Sequence, residues 1–146
     1  MAVWCSPDGK AAEFQYLTII SREAIEMVEL THKRATANGI RLHYVTVGRG
    51  PVVLCMHGWP QNHREFLPVI AGMTDKYRFI APDLRGFADS DKPYDGYEPK
   101  TIAQDMLDLL AVEGVERFHI LSHDLGGALG GACLYGWQAG DVARHH

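Results

Sequence analysis

Between the turn Gly48-Arg49-Gly50 and the dipeptide His57-Gly58, the chain runs Val52, Val53, Leu54, Cys55, Met56 without a polar break. A strand with one face in water alternates apolar and polar residues, whereas an unbroken apolar strand is covered on both faces, as in a parallel sheet flanked by helices. Parallel neighbours need crossover connections, so the surrounding sequence must alternate strands with helices. It does. Arg78 to Ala81 and Arg117 to Leu121 are further short apolar strands, and helical patterns lie between and after them.

Arg64 to Lys76 sets Phe66, Leu67, Ile70 and Met73 at helical spacing, with Pro68 placed to start or kink that helix. Thr101 and Gln104 fit a capping box, followed by the stripe Ile102, Met106, Leu109 and Leu110 opposite Asp105 and Asp108, with Gly114 as the stop. The last helix follows Ser122 to Gly126; its five glycines between Gly126 and Gly136 each cost about 1 kcal/mol relative to alanine. Upstream, Asn38-Gly39 is a turn dipeptide, and Ile40, Leu42 and Tyr44 alternate with Arg41 and His43, which predicts a half-buried strand paired back onto Thr31 to Thr36. The fold class is α/β, a mostly parallel sheet with flanking helices. Residues 31–146 form its core, and residues 1–30 are an N-terminal extension of unclear structure.

Composition narrows the function. With 14 basic against 18 acidic residues and a formal charge of −4, the chain lacks the basic stripe that neutralises phosphates, so no nucleic-acid partner is expected. No apolar run is long enough to cross a bilayer, and no basic-then-apolar leader opens the chain; no membrane partner is expected and the location reads as cytoplasmic. Cys5, Cys55 and Cys133 are scattered without a CxxC pair, which suits isolated thiols. His119 and His123 stand four apart and His57 and His63 six apart, yet neither pair suggests a third ligand nearby, so no metal is expected. GGALGGA departs from GxGxxG spacing, so no dinucleotide or other cofactor is expected.

Three segments at strand ends carry the chemistry. Ser122-His123-Asp124-Leu125-Gly126 spaces its residues as small, any, nucleophile, any, small: a tight strand-to-helix turn that aims the central side chain outward and the helix N-terminus toward it. The central residue is Asp124. A carboxylate attacking an ester would give an anhydride, a poor route to hydrolysis, whereas attack on a tetrahedral carbon bearing a leaving oxygen or halide gives an ordinary, hydrolysable ester. The substrate class is therefore a small hydrophobic epoxide or an alkyl halide. Asp124 also fits a plain N-cap, worth about 1 kcal/mol. His57-Gly58-Trp59-Pro60 follows the most apolar strand; its Trp59 N–H and the Leu125 N–H can aim at one point and form an oxyanion hole, and the same residues equally fit a Gly-Pro turn with an aromatic lid. Asp83-Leu84-Arg85-Gly86-Phe87-Ala88-Asp89 reads as a solvated turn with local Asp and Arg pairing and is assigned no chemistry.

Together, THKRATANGIRLHYVTVG, HGWPQN, APDLRGFADSDKP and SHDLGG resemble the alpha/beta-hydrolase fold family, specifically its epoxide hydrolase and haloalkane dehalogenase branch. The resemblance runs from about Thr31 to about Leu134. It implies Asp124 as nucleophile, Trp59 and Leu125 as backbone oxyanion-hole donors, a cis Trp59-Pro60 bond, and hydrolase activity on an epoxide, with a haloalkane or haloacid dehalogenase and a noncatalytic truncated fold or binding module as alternatives. Leu125 carries no side-chain donor for a departing halide, which favours the epoxide branch. Ala88 stands where the family loop usually carries glycine. Family members continue into a cap and a histidine-bearing strand, so the chain reads as the N-terminal part of such an enzyme. That leaves the strand Arg117 to Leu121 as an exposed apolar edge and predicts self-association through it.

Overall fold

The computed structural model describes residues 3–5 and 22–138. In chain order the elements are β1 (Val3–Cys5), α1 (Arg22–Glu26), β2 (Thr31–Ala37), β3 (Ile40–Gly48), β4 (Val52–Met56), a 3-10 turn (His63–Phe66), α2 (Leu67–Ala71), β5 (Arg78–Pro82), α3 (Pro99–Val112), β6 (Phe118–Ser122) and α4 (Leu125–Gln138). The six strands form one sheet in the order β1-β6-β4-β5-β3-β2. β4 lies parallel to both β5 and β6, while β3 joins β5 and β2 antiparallel, with Ala37 opposite Ile40 at the Asn38-Gly39 turn. The carboxyl ends of β4, β5 and β6 therefore point to one edge, where open α/β sheets place their ligand crevices.

The covering of β4 explains its unbroken apolar run. Leu54 and Met56 pack on one face with Met106 and Leu110 of α3 and Leu129 of α4. Val53 and Cys55 pack on the other with Phe66 and Ile70. These four residues of β4 are fully buried. Each face thus removes every second side chain from water, at roughly 1.5–3 kcal/mol per large apolar group.

Local details depart from the sequence reading in four places. The helix expected over 64–76 is shorter: the Asn62 side chain accepts from Arg64 N at 2.9 Å to cap a 3-10 turn, Pro68 falls in the first turn of α2, and Gly72 ends it. No capping box forms at Thr101. The helix α3 starts three residues earlier because Pro99 supplies a preset φ at a position that needs no N–H donor, and Thr101 Oγ1 instead donates to Glu98 Oε1 at 2.6 Å. Its predicted stop is where expected, with Gly114 at φ 67° and Val115 N donating to Leu110 O at 2.9 Å. Asp105, expected on the polar face, is fully buried.

The fourth departure is the sheet edge. β6 is not left open: Val3, Trp4 and Cys5 pair antiparallel with Ser122, Leu121 and Ile120. The N-terminal segment read as an extension thus contributes a strand, and the unpaired edge that predicted self-association is absent from β6 over those three residues. His145 and His146 lie outside the described residues.

Candidate active site

Asp124 stands two residues past the end of β6, in the left-handed region at φ 51°. An aspartate tolerates that conformation better than most L-residues, and strained backbone of this sort concentrates at functional sites. The turn is pinned by Gly126 N to His123 O at 2.9 Å and by His123 N to Met56 O at 3.2 Å. Gly126 has to be glycine: a Cβ there would lie 2.0 Å from the Met56 carbonyl oxygen. In the facing segment just past β4, a Cβ at Gly58 would lie 2.6 Å from the Asp124 Cβ. Both glycines of the two motifs are thus used to press the end of β4 against the elbow.

That approach brings the three sequence-predicted residues together. The Trp59 N–H donates to Asp124 Oδ2 at 3.1 Å. The backbone N–H groups of Leu125 and Trp59 hold the Asp124 carboxyl below its ordinary pKa, with the charge of His123 adding to the effect. The carboxylate is ionised and remains exposed to solvent. Trp59 and Leu125 also leave their side chains in water, 68% and 38% exposed, as an apolar rim on either side of it. The Trp59-Pro60 bond is cis.

Glu65, not singled out in the sequence, and His57 complete the support. Glu65 of the 3-10 turn accepts from Gly58 N through Oε2 at 3.2 Å, and its Oε1 lies 2.5 Å from His123 Nδ1. One side chain therefore links the residue before Trp59 to the residue before Asp124. His57 is fully buried; its Nδ1 donates to Gly58 O at 2.8 Å and its Nε2 accepts from Leu84 N at 3.0 Å, which defines a neutral ring. Burial lowers its pKa below the usual histidine value. The only sequence signal for Glu65 was its place on the first turn after HGWP.

The loop after β5 overturns the solvated-turn reading. Asp83 is fully buried and Arg85 nearly so. Arg85 Nε and Nη2 grip both carboxylate oxygens of Asp105 at 2.7 Å each, and Asn38 Nδ2 adds a bond at 2.9 Å. The pairing of Arg85 is thus not local: it reaches α3 and staples the loop to the hairpin turn. Asp83 accepts from the His63 side chain at 2.8 Å, the His63 N–H at 3.0 Å, the His43 side chain at 2.7 Å and the Asp89 N–H at 3.3 Å. Burial alone would raise its pKa; the His63 and His43 bonds outweigh it and hold the carboxyl far below the carboxylate range. Neither histidine pair weighed in the sequence forms this cluster, which takes one imidazole from β3 and one from the 3-10 turn.

An exposed carboxylate on a strained strand-to-helix turn is thus met by two converging amides at the carboxyl edge of parallel strands. Residues 51–135 match the alpha/beta hydrolase fold family, and the chain belongs to that family. It is 42% identical over 101 residues to the soluble epoxide hydrolase of Corynebacterium sp. (strain C12), covering 69% of this chain and 35% of the relative. It is 34% identical over 96 residues to the fluoroacetate dehalogenase of Burkholderia sp., covering 62% and 32%. The solved structure of epoxide hydrolase CorEH without ligand superposes with a TM-score of 0.71 at 38% identity, over 75% of this chain and 39% of that one. The chain spans about a third of the length of the relatives it matches. No helix among the described residues is long and apolar enough to cross a membrane.

Proposed function

We propose that Asp124 is the nucleophile of an epoxide-hydrolase-type reaction. One carboxylate oxygen attacks a ring carbon, the C–O bond of the epoxide breaks toward its oxygen, the resulting alkoxide takes a proton from solvent, and a hydroxyalkyl ester of Asp124 forms. Oδ2, held by the Trp59 N–H, becomes the carbonyl oxygen of that ester. When water attacks the ester, the same two amides of Trp59 and Leu125 receive the negative charge that develops there. The observation that carries the reading is the hydrogen bond from Trp59 N to Asp124 Oδ2 on an exposed, ionised carboxylate. A carboxylate serving only as a helix cap would need no donor from the turn after a second strand.

The exposed Trp59 and Leu125 side chains suit a small hydrophobic substrate. Hydrolysis of the ester requires an activated water, so the trapped ester is the direct readout. Mass spectrometry after incubation with a styrene-oxide-type epoxide should find the adduct on Asp124, and none in Asp124→Asn. No adduct on the chain, or on a version extended to the full length of its relatives, would overturn the proposal. The similarity to a fluoroacetate dehalogenase supports a second reading, in which the same carboxylate displaces halide. Halide release without diol formation by that extended version would select it.

A further inference from the structure

Away from Asp124, two imidazoles and a carboxylate from three distant segments meet in the interior. His43 of β3, His63 of the 3-10 turn and Asp83 after β5 are 4%, 5% and 0% exposed. One ligand-capable atom of each lies within 4.8 Å of the other two. As neutral rings, His43 and His63 direct Nδ1–H groups at opposite oxygens of one carboxylate, at 2.7 and 2.8 Å. We propose that this cluster is a binding site for a divalent transition-metal ion of the zinc class. The ion takes the place of the two Nδ1 protons and is held by His43 Nδ1, His63 Nδ1 and the Asp83 carboxylate.

The donor set is the first reason. Two imidazole nitrogens and one carboxylate suit zinc, cobalt or nickel, and not the all-oxygen preference of calcium or magnesium. Distance is the second. Ligands about 2.1 Å from a common ion stand roughly 3.0–3.4 Å apart, so the two nitrogen-to-oxygen separations open by a few tenths of an ångström while the three ligand atoms, now within 4.8 Å of one another, draw in around the ion. The carboxylate is also oriented beforehand, since the His63 and Asp89 backbone N–H groups hold it from outside the cluster at 3.0 and 3.3 Å.

The protons balance through an outer histidine. His32 Nδ1 lies 2.9 Å from His43 Nε2 and, with His43 protonated at Nδ1, is the donor. On metal binding His43 releases its Nδ1 proton to solvent and receives the His32 proton at Nε2, and His32 takes one from solvent at its own Nε2. The His32-to-His43 hydrogen bond reverses, and His32 becomes the acceptor that an imidazole ligand ordinarily finds on its far nitrogen. His63 exchanges an Nδ1 proton for one at Nε2 in the same way, so no net charge is lost from the rings. Access is provided by an open cavity of about 330 Å³ bordered by His32, His43, Lys33, Arg34 and Asp89. The ligands sit on or directly beside strands and a capped turn, which suits a fixed geometry.

The test uses the full chain carrying His145→Ala and His146→Ala, so that the terminal histidines cannot bind metal, after dialysis against EDTA. Titration with Zn²⁺ against a chromophoric chelator should give one ion per chain, and Co²⁺ should produce a d–d absorption band. His63→Asn should weaken binding at least 100-fold, and the exposed His32→Phe by about 10-fold, the lower end of the range for an outer partner. Zn²⁺ should raise the Tm of the parent and leave that of His63→Asn unchanged. Should the ligand variants fail to fold, X-ray absorption of the zinc-loaded parent decides, with two imidazoles expected in the first shell. Absence of stoichiometric uptake, uptake unchanged in a folded His63→Asn, or an imidazole count of zero would each overturn the site.

Discussion

Asp83 and Asp124 occupy matching places in the sheet: each follows the carboxyl end of a strand, β5 and β6, on either side of β4. Their fates are opposite. Asp83 is fully buried and accepts four hydrogen bonds, two of them from imidazoles, whereas Asp124 is exposed and is met by two backbone amides. The difference teaches that topological position makes a carboxylate available and that its surroundings decide its use. Side-chain donors that close over the oxygens turn one into a hub. Amides that approach from a single side leave the other open to solvent.

The largest effect should separate these two carboxylates. Asp83→Ala leaves buried His43 and His63 donors without their acceptor and should cost about 3–5 kcal/mol in urea unfolding. Asp124→Asn keeps the shape and a side chain tolerant of φ 51°, so its stability should change by less than about 1 kcal/mol while the epoxide adduct disappears. A large loss of stability in Asp124→Asn would make both carboxylates structural and break the contrast. Next in size, Gly126→Ala drives a methyl into the Met56 carbonyl and should destabilise by about 2–3 kcal/mol and remove the adduct together with the elbow geometry.

A pH effect sharpens the comparison at His57, which bridges the Asp124 side to the Asp83 loop through Gly58 and Leu84. Its pKa is lowered in the folded state, so the unfolded state binds more protons as the medium is acidified. The stability it contributes is fully present above the ordinary histidine value of about 6.5 and is lost as pH falls through its folded value. Denaturant unfolding at pH 8 and pH 5 should show that loss, and His57→Gln should show less of it. The smallest effect is a gain: Ala88 holds φ 39°, and Ala88→Gly should raise stability by about 0.5–1 kcal/mol, since removal of the left-handed penalty exceeds the added freedom of the unfolded chain. No gain in Tm would place that loop under no strain.

Much of this was legible because it is local. The hairpin at Asn38-Gly39, the stop at Gly114 and the strand-to-helix elbow at Asp124 depend on turn chemistry among residues a few positions apart. The convergence of Trp59, Leu125 and Asp124 was legible too, because two strand-end motifs with glycines in the right places leave few ways to pack. Where propensity argued against an element, at the glycine-rich α4, the reason lay in packing: Gly126 lets the helix start against the β4 backbone. The capping box at Thr101 misled because Pro99 supplies a start signal of its own.

The strands from β2 to β6, the crossovers and the strand-to-helix turn at Asp124 were set by the amino-acid sequence alone, since backbone preference and apolar periodicity are carried by contiguous residues. Only the tertiary structure decided that Asp83, Arg85 and Asp105 are interior, that His43 and His63 share one carboxylate, that Glu65 ties Gly58 to His123, and that Val3–Cys5 closes the edge of β6. The physical reason is that a charged side chain leaves water only when partners arrive from elsewhere in the chain, and nothing in its own neighbourhood announces them.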